Sequence, residues 1–134
     1  MTLTLTGLTI MAMLFSQIFL TPDSDDLDAD LSTYKSHISI VDRVYALAGE
    51  RDFKYVVYTP PVHDYTYRYL FRWYGPKKYG YSPKDISETA FFIIEPDPNQ
   101  ARRQDWIQER KGDGEIIKEE LLRNGVIIQE RKVD

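Results

Sequence analysis

Aromatic and basic side chains crowd the middle of the chain, and their types are those that bind sugars, base rings or phosphates. Aromatic faces pack on the C–H faces of sugars and on bases, while phenol hydroxyls form hydrogen bonds with glycan hydroxyls. Guanidinium and ammonium groups between the rings suit lipid phosphates or a polyprenyl-phosphate headgroup. We therefore predict a contact surface for substrate, glycan or lipid headgroups. Its candidate residues are Tyr65, Arg68, Tyr69, Arg72, Trp73, Tyr74, Lys77 and Lys78.

The same cluster has competing interpretations. The rings can be the core and rim of an α/β layer, or they can lie in the membrane headgroup zone, which Tyr and Trp favour. The cations can be a solvated helix face paired with Asp64 and Glu88. Basic residues between aromatic ones are also typical of single-strand nucleic-acid surfaces, but the net charge of −4 disfavours that partner, so we predict no nucleic-acid binding.

Two pairs of titratable side chains, one His/Asp and one Glu/Asp, form a weaker candidate for chemistry. His63 and Asp64 follow the first predicted strand, and Glu95 and Asp97 follow the second, so both pairs are expected near the carboxyl ends of neighbouring strands. A small hydrolase using these four residues is one hypothesis. However, Asp64 and Asp97 are natural N-caps of the helices that follow them. The chain has no cysteine, no Gly-rich phosphate loop and no nucleophile elbow. We therefore predict no catalytic residue, no metal site and no cofactor.

The elements that must position these residues follow from local patterns. An apolar stripe with spacings of four, three, four and three predicts a helix that ends at Gly49, with Ser32 or Thr33 as its N-cap. The stripe consists of Tyr34, Ile38, Val41, Tyr45 and Ala48. Residues 53–59 are β-branched and aromatic and precede two prolines, which predicts a buried strand.

A second helix and strand follow the first pair. Asp64 is predicted to cap a helix that runs to about Tyr74 and is broken by Gly75 and Pro76, and residues 90–95 form an apolar strand. Two strands separated by a helix indicate a parallel pair. Asp97 or Asn99 is predicted to begin a third helix that ends near Lys111 and Gly112.

The pattern of the C-terminal part of the chain predicts a β-hairpin. Residues 115–122 and 126–132 are strand-like runs on either side of an Asn-Gly pair, which is a strong hairpin signal. The fold class is therefore α/β, with a small two-layer or three-layer mixed sheet of about four strands. The sheet combines a parallel pair with the C-terminal hairpin, has flanking helices, and is preceded by one N-terminal transmembrane helix.

The prediction of a membrane helix rests on an uncharged stretch in the N-terminal part of the chain. Eighteen residues from Leu3 to Leu20 carry no charge, which is a marginal length for a bilayer span. A signal peptide and a buried core helix are the alternatives. We predict a transmembrane helix or signal segment at 1–22, an acidic linker at 23–31 and a soluble α/β domain at 32–134. The soluble domain is expected on the non-cytoplasmic side of a membrane.

The segment YVVYTPPVHDYTYRYLFRWYG at residues 55–75, together with FIIEPDP at 92–98, carries a family resemblance. The chain resembles the C-terminal extracytoplasmic domain of bacterial protein-mannosyltransferase-like membrane enzymes, which use polyprenyl-phosphate sugars. In that family many membrane helices precede the domain, and the catalytic acidic residue lies in an early extracytoplasmic loop. This chain has one candidate helix, so no catalytic residue carries over to it. The resemblance implies a truncated or separately encoded tail with no activity alone.

The leading hypothesis is a membrane-tethered accessory domain of a glycosyltransferase that uses a lipid-linked sugar. Its expected partners are the membrane, a multi-spanning glycosyltransferase and a lipid-linked sugar. The alternative is a stand-alone anchored module that binds glycan, protein or lipid headgroups. The small hydrolase is the third hypothesis.

Overall fold

The fold is a four-stranded mixed sheet with helices on both of its faces. The structure, a computed structural model, describes residues 31, 33–60 and 64–134. The predicted α/β class with a mixed sheet is confirmed. The elements in chain order are α1 (Tyr34–Ala48), β1 (Lys54–Tyr58), α2 (Tyr65–Tyr69), a π-helical turn (Leu70–Tyr74), α3 (Gly75–Tyr79), β2 (Thr89–Ile94), α4 (Gln100–Glu109), β3 (Glu115–Leu121) and β4 (Ile127–Lys132).

The strands lie in the order β1-β2-β4-β3. β1 and β2 are parallel, with Lys54 opposite Ala90, and β4 runs antiparallel to both β2 and β3. The Asn-Gly turn closes the hairpin: the Gly125 amide donates to the Leu122 carbonyl at 2.9 Å, and Gly125 has a φ of 83°. The predicted parallel pair and C-terminal hairpin are therefore confirmed.

Both predicted caps of α1 are present. The Thr33 side chain accepts a hydrogen bond from the Ser36 amide at 3.3 Å, and Gly49 takes the left-handed conformation at the C-terminus. The helix buries Ile40, Val41 and Val44 completely. Its packing face agrees with the 3.6-residue period of the sequence.

The two faces of the sheet are covered differently because successive residues of a strand point to opposite sides. Phe91 and Ile93 join the main core, which also includes residues of α1, α2 and the π-helical turn. Phe92 points to the other side, where its ring centroid lies 6.3 Å from that of Trp106 in α4. The helices on the two faces make a three-layer arrangement.

The predicted helix break at Gly75 and Pro76 is wrong. The helix continues to Tyr79 because the backbone widens into a π-helical turn before Pro76, and the Gly75 amide donates to the Leu70 carbonyl, five residues back. Pro76 then lies in the first turn of α3, where the missing N–H costs little.

The predicted transmembrane helix at 1–22 lies outside the described residues, as does the acidic linker up to residue 30. Leu31, the last residue of that linker, packs against the core. Among the described residues, the helices are too short or too polar to cross a bilayer.

Candidate functional site

Three aromatic side chains lie on the outer face of the continuous helix formed by α2 and the π-helical turn. Tyr65, Tyr69 and Trp73 are 66%, 55% and 59% exposed, respectively. Arg68 lies 5.8 Å from the Tyr65 ring centroid, and Arg72 lies 5.5 Å from that of Trp73. Both distances are within the range of a cation–π contact. These five exposed residues are here called the aromatic ridge, and all five are predicted contact residues.

The opposite side of the same helix belongs to the core. Tyr67, Leu70 and Phe71 are buried, and the Phe71 ring stacks on Tyr55 with centroids 4.1 Å apart. The two interpretations of the aromatic cluster therefore apply to different residues. Tyr67 and Phe71 are core, while the aromatic ridge is surface.

Two predicted contact residues, Tyr74 and Lys78, are engaged elsewhere. The Tyr74 hydroxyl donates to Asp42 Oδ1 at 2.9 Å, the Tyr79 hydroxyl donates to the same atom at 2.6 Å, and Lys78 Nζ lies 3.0 Å from Oδ2. The hydrogen bonds that Lys78 donates to the Tyr74 hydroxyl and to Asp42 raise the pKa of Lys78. This polar cluster joins α1 to α3. Lys77, the remaining predicted contact residue, is exposed beside it.

The predicted pairing of the cations is only half right. Arg68 Nη2 lies 2.9 Å from Asp64 Oδ1, as expected for residues four apart on a helix. The predicted partner Glu88 is wrong, because the carboxylate that Lys78 contacts is Asp42. Asp42 lies on α1, so this pair depends on tertiary packing rather than on local spacing.

Asp97 is a buried carboxylate whose hydrogen bonds are all made within the fold. It accepts from the Tyr58 hydroxyl through a short hydrogen bond, from the Asn99 amide at 2.7 Å and from Arg102 Nε at 2.8 Å. The hydrogen bond from Tyr58, with those from Asn99 and Arg102, lowers the pKa of Asp97 below its usual value. The group therefore stays ionised and joins the end of β1 to the start of α4.

Glu95 follows β2 and contacts a different set of residues. The Tyr67 hydroxyl donates to Glu95 Oε1 at 2.8 Å, and His37 Nε2 lies 3.3 Å from the same oxygen. The other ring nitrogen, Nδ1, donates to the Thr33 carbonyl at 3.0 Å. Because Nδ1 carries that proton, Nε2 can donate to Glu95 only when the ring is protonated. The site is therefore an ion pair between a buried carboxylate and a partly buried imidazolium, supported by a phenol.

Sequence reasoning missed His37, although a signal was present. His37 shares a helical face with Val41, Val44 and Ala48, at spacings of four, three and four residues. A histidine on an apolar face of α1 needs a polar partner inside the domain. Glu95, which follows a buried strand, supplies that partner.

Three residues of the hydrolase hypothesis, Asp64, Glu95 and Asp97, are described, and each contacts different partners. His63 lies outside the described residues. Asp64 makes no side-chain cap, so that prediction is wrong: its carboxylate turns to Arg68 instead. Asn99 caps α4 by accepting from the Arg102 amide at 3.1 Å, and Asp97 accepts from the Asn99 amide. Within the described part of the chain, no group of three or more His, Asp or Glu side chains is arranged to hold a metal.

The domain is expected to lose stability as the pH rises, because of the His37–Glu95 pair. The hydrogen bond to Glu95 raises the pKa of His37 above its ordinary value of 6.5. A raised folded-state pKa means that the stabilisation is complete below 6.5 and is lost as the pH passes through the folded-state value. Urea unfolding of the full chain between about pH 6 and about pH 9 measures this loss. His37→Gln should show a flatter profile, and parallel profiles would contradict the assignment.

No protein-family model, curated protein or solved structure matches this chain significantly, so the glycosyltransferase resemblance stays a prediction.

Proposed function

We propose that this chain is a non-catalytic binding domain whose aromatic ridge contacts the headgroup zone of an anionic membrane. The observation that carries the proposal is the exposed row of three aromatic rings with two arginines between them. Tyr and Trp favour the interface between water and lipid because one end of each ring system is apolar and the other polar. Guanidinium groups beside them suit lipid phosphates.

Charge on and beside the ridge supports an anionic surface. Within the described residues, Arg72 and Lys77 form no ion pair, so both charges are available to a partner. A Lys or Arg close to an anionic membrane contributes about 1 kcal/mol. A helix face is also convex, which suits a flat surface better than it suits a glycan that needs enclosure.

The route of the chain into the domain also supports the proposal. The His37 ring, one turn into α1, has its centroid 5.0 Å from that of Tyr67. Tyr67 lies on the buried side of α2, so the chain enters the domain on the inner side of the helix that carries the ridge. The sequence before that point contains the uncharged residues 2–22. A membrane anchor in that segment would keep the domain close to a bilayer.

The narrower role, an accessory domain of a lipid-linked-sugar glycosyltransferase on the non-cytoplasmic side, remains a proposal that rests on the sequence resemblance. Glycan or protein binding through the ridge is the alternative. Glycan binding and protein binding each predict that binding does not depend on the charge of the lipid, and this separates them from the membrane proposal.

Trp73 should report docking directly. With Trp106→Phe, Trp73 is the only tryptophan of the full chain. We expect phosphatidylglycerol vesicles, but not phosphatidylcholine vesicles, to shift Trp73 emission to the blue and protect it from acrylamide. Adding Arg72→Gln and Lys77→Gln removes the two cations that form no ion pair among the described residues, each contributing about 1 kcal/mol, so the ratio of docked to undocked domain should fall roughly thirtyfold.

Matched controls separate this effect from a general loss of charge. Lys111 and Lys118 are exposed cations away from the ridge. Their double replacement by glutamine should leave Trp73 protection unchanged. Equal acrylamide access to Trp73 in both kinds of vesicle would refute the proposal, as would an equal loss in the control variant.

A further inference from the structure

A cleft of about 690 Å³ lies beside the outer edge of β1, away from the aromatic ridge residues other than Arg68. It is bounded by the end of β1, the start of α2 and one side of α4. Its volume falls within the range of small-molecule sites. Its position is also typical, because open α/β sheets bind ligands at the carboxyl ends of parallel strands.

The charges that line the cleft cancel. Three arginines and three carboxylates face it: Arg68, Arg102, Arg110, Asp64, Asp105 and Glu109. Each arginine already has a carboxylate partner, with distances of 2.9 Å to Asp64, 2.7 Å to Asp97 and 3.4 Å to Glu109. An anionic ligand would have to displace one of these carboxylates. A hydroxyl group, in contrast, can accept from a guanidinium and donate to a carboxylate without separating them.

Asp105 adds an acceptor to this lining. Among the described residues it has no hydrogen-bond or ion-pair partner. Its carboxylate can therefore accept hydrogen bonds from a ligand hydroxyl without first losing another contact. Asp105 lies one residue before Trp106, so the acceptor and the aromatic wall of the cleft come from the same turn of α4.

Aromatic rings form the apolar part of the cleft. The Tyr58 and Trp106 centroids are 5.3 Å apart, and the Arg110 guanidinium lies 4.3 Å from the Trp106 centroid. Aromatic rings can pack on the C–H face of a ligand, and the neighbouring arginine–carboxylate pairs can form hydrogen bonds with hydroxyl groups at its edge. We infer that this cleft binds a neutral saccharide. The inference does not depend on the membrane contact.

Trp106 provides the test. With Trp73→Phe, Trp106 is the only tryptophan of the full chain. Maltose and N,N′-diacetylchitobiose are titrated separately, and sodium phosphate serves as the anionic probe. We expect at least one disaccharide to change Trp106 emission saturably, with a midpoint below about 10 mM. Phosphate should produce no saturable change.

Variants on α4 locate the binding. Asp105→Ala removes the acceptor at an exposed helix position and should raise the midpoint at least about fivefold, the effect of losing a hydrogen bond worth about 1 kcal/mol. Gln104→Ala, at the neighbouring exposed position outside the cleft, should leave the midpoint unchanged. Failure of both disaccharides, saturation by phosphate alone, or equal midpoints for Asp105→Ala and Gln104→Ala would each overturn the inference.

Discussion

Gly75→Ala should destabilise the domain by about 3 kcal/mol, although alanine is the better helix former. A Cβ on Gly75 would lie 2.5 Å from the Tyr45 hydroxyl oxygen and 2.6 Å from Tyr45 Cζ. Tyr45 cannot move aside easily. Its ring stacks on Tyr79 with centroids 4.4 Å apart, and its hydroxyl donates to the Tyr81 carbonyl at 3.0 Å. The overlap must therefore be relieved by separating α1 from α3.

Urea unfolding of the full chain measures this loss, and Gly112→Ala is the matched control. A Cβ on Gly112 would meet no heavy atom within 4 Å in the described part of the chain, and Gly112 does not have a positive φ. The control should change the free energy of unfolding by less than about 1 kcal/mol. If Gly75→Ala is as stable as the control, the close approach of Tyr45 does not limit this interface.

The role of Gly75 shows where sequence reasoning stopped. Glycine followed by proline ordinarily ends a helix, so the prediction placed the end near Tyr74. The glycine is required instead because the Tyr45 ring, thirty residues earlier, occupies the place of its side chain. Such a contact depends on how two helices pack, and local spacing cannot reveal it.

Other elements were predictable because their signals are local. The Thr33 cap, the Gly49 stop and the Asn-Gly turn each depend on a few neighbouring residues, and each is present. Asp64 has the residue type of a cap but pairs with Arg68 instead. The N-cap of α4 is Asn99, which was one of two predicted candidates.

The sequence predicted that aromatic and basic side chains would form an exposed surface, but it did not predict which of them would belong to it. Five of the eight predicted contact residues form the aromatic ridge, because a helix must expose one side when the other is buried. Tyr74 and Lys78 fall in the same stretch but turn to Asp42 on α1. The π-helical turn also changes which positions share a face after residue 70, and a regular 3.6-residue period does not anticipate that shift.

Glu95→Ala should cost about 3 kcal/mol, the lower end of the loss expected when one partner of a buried ion pair is removed, because His37 is only partly buried. Glu95 is 6% exposed and accepts from both Tyr67 and His37. The Tyr67 side chain is fully buried. Alanine at position 95 would therefore leave the Tyr67 hydroxyl without a hydrogen-bond acceptor. His37 would lose the carboxylate that favours its charged form, so the partly buried ring would be either charged and unpaired or neutral.

Glu95→Gln tests whether the loss comes from the missing hydrogen bonds or from the missing charge. The glutamine oxygen can still accept from Tyr67. Since both partners contact the same oxygen of Glu95, the side chain must rotate slightly for its amide to donate to Nε2 of a neutral His37. We expect Glu95→Gln to lose only about 1 kcal/mol and to remove the pH dependence assigned to His37. Glu115→Ala, at an exposed position on β3, controls for loss of one carboxylate. If Glu95→Ala unfolds at the same urea concentration as Glu115→Ala, the buried pair does not hold α1 and α2 to the end of β2.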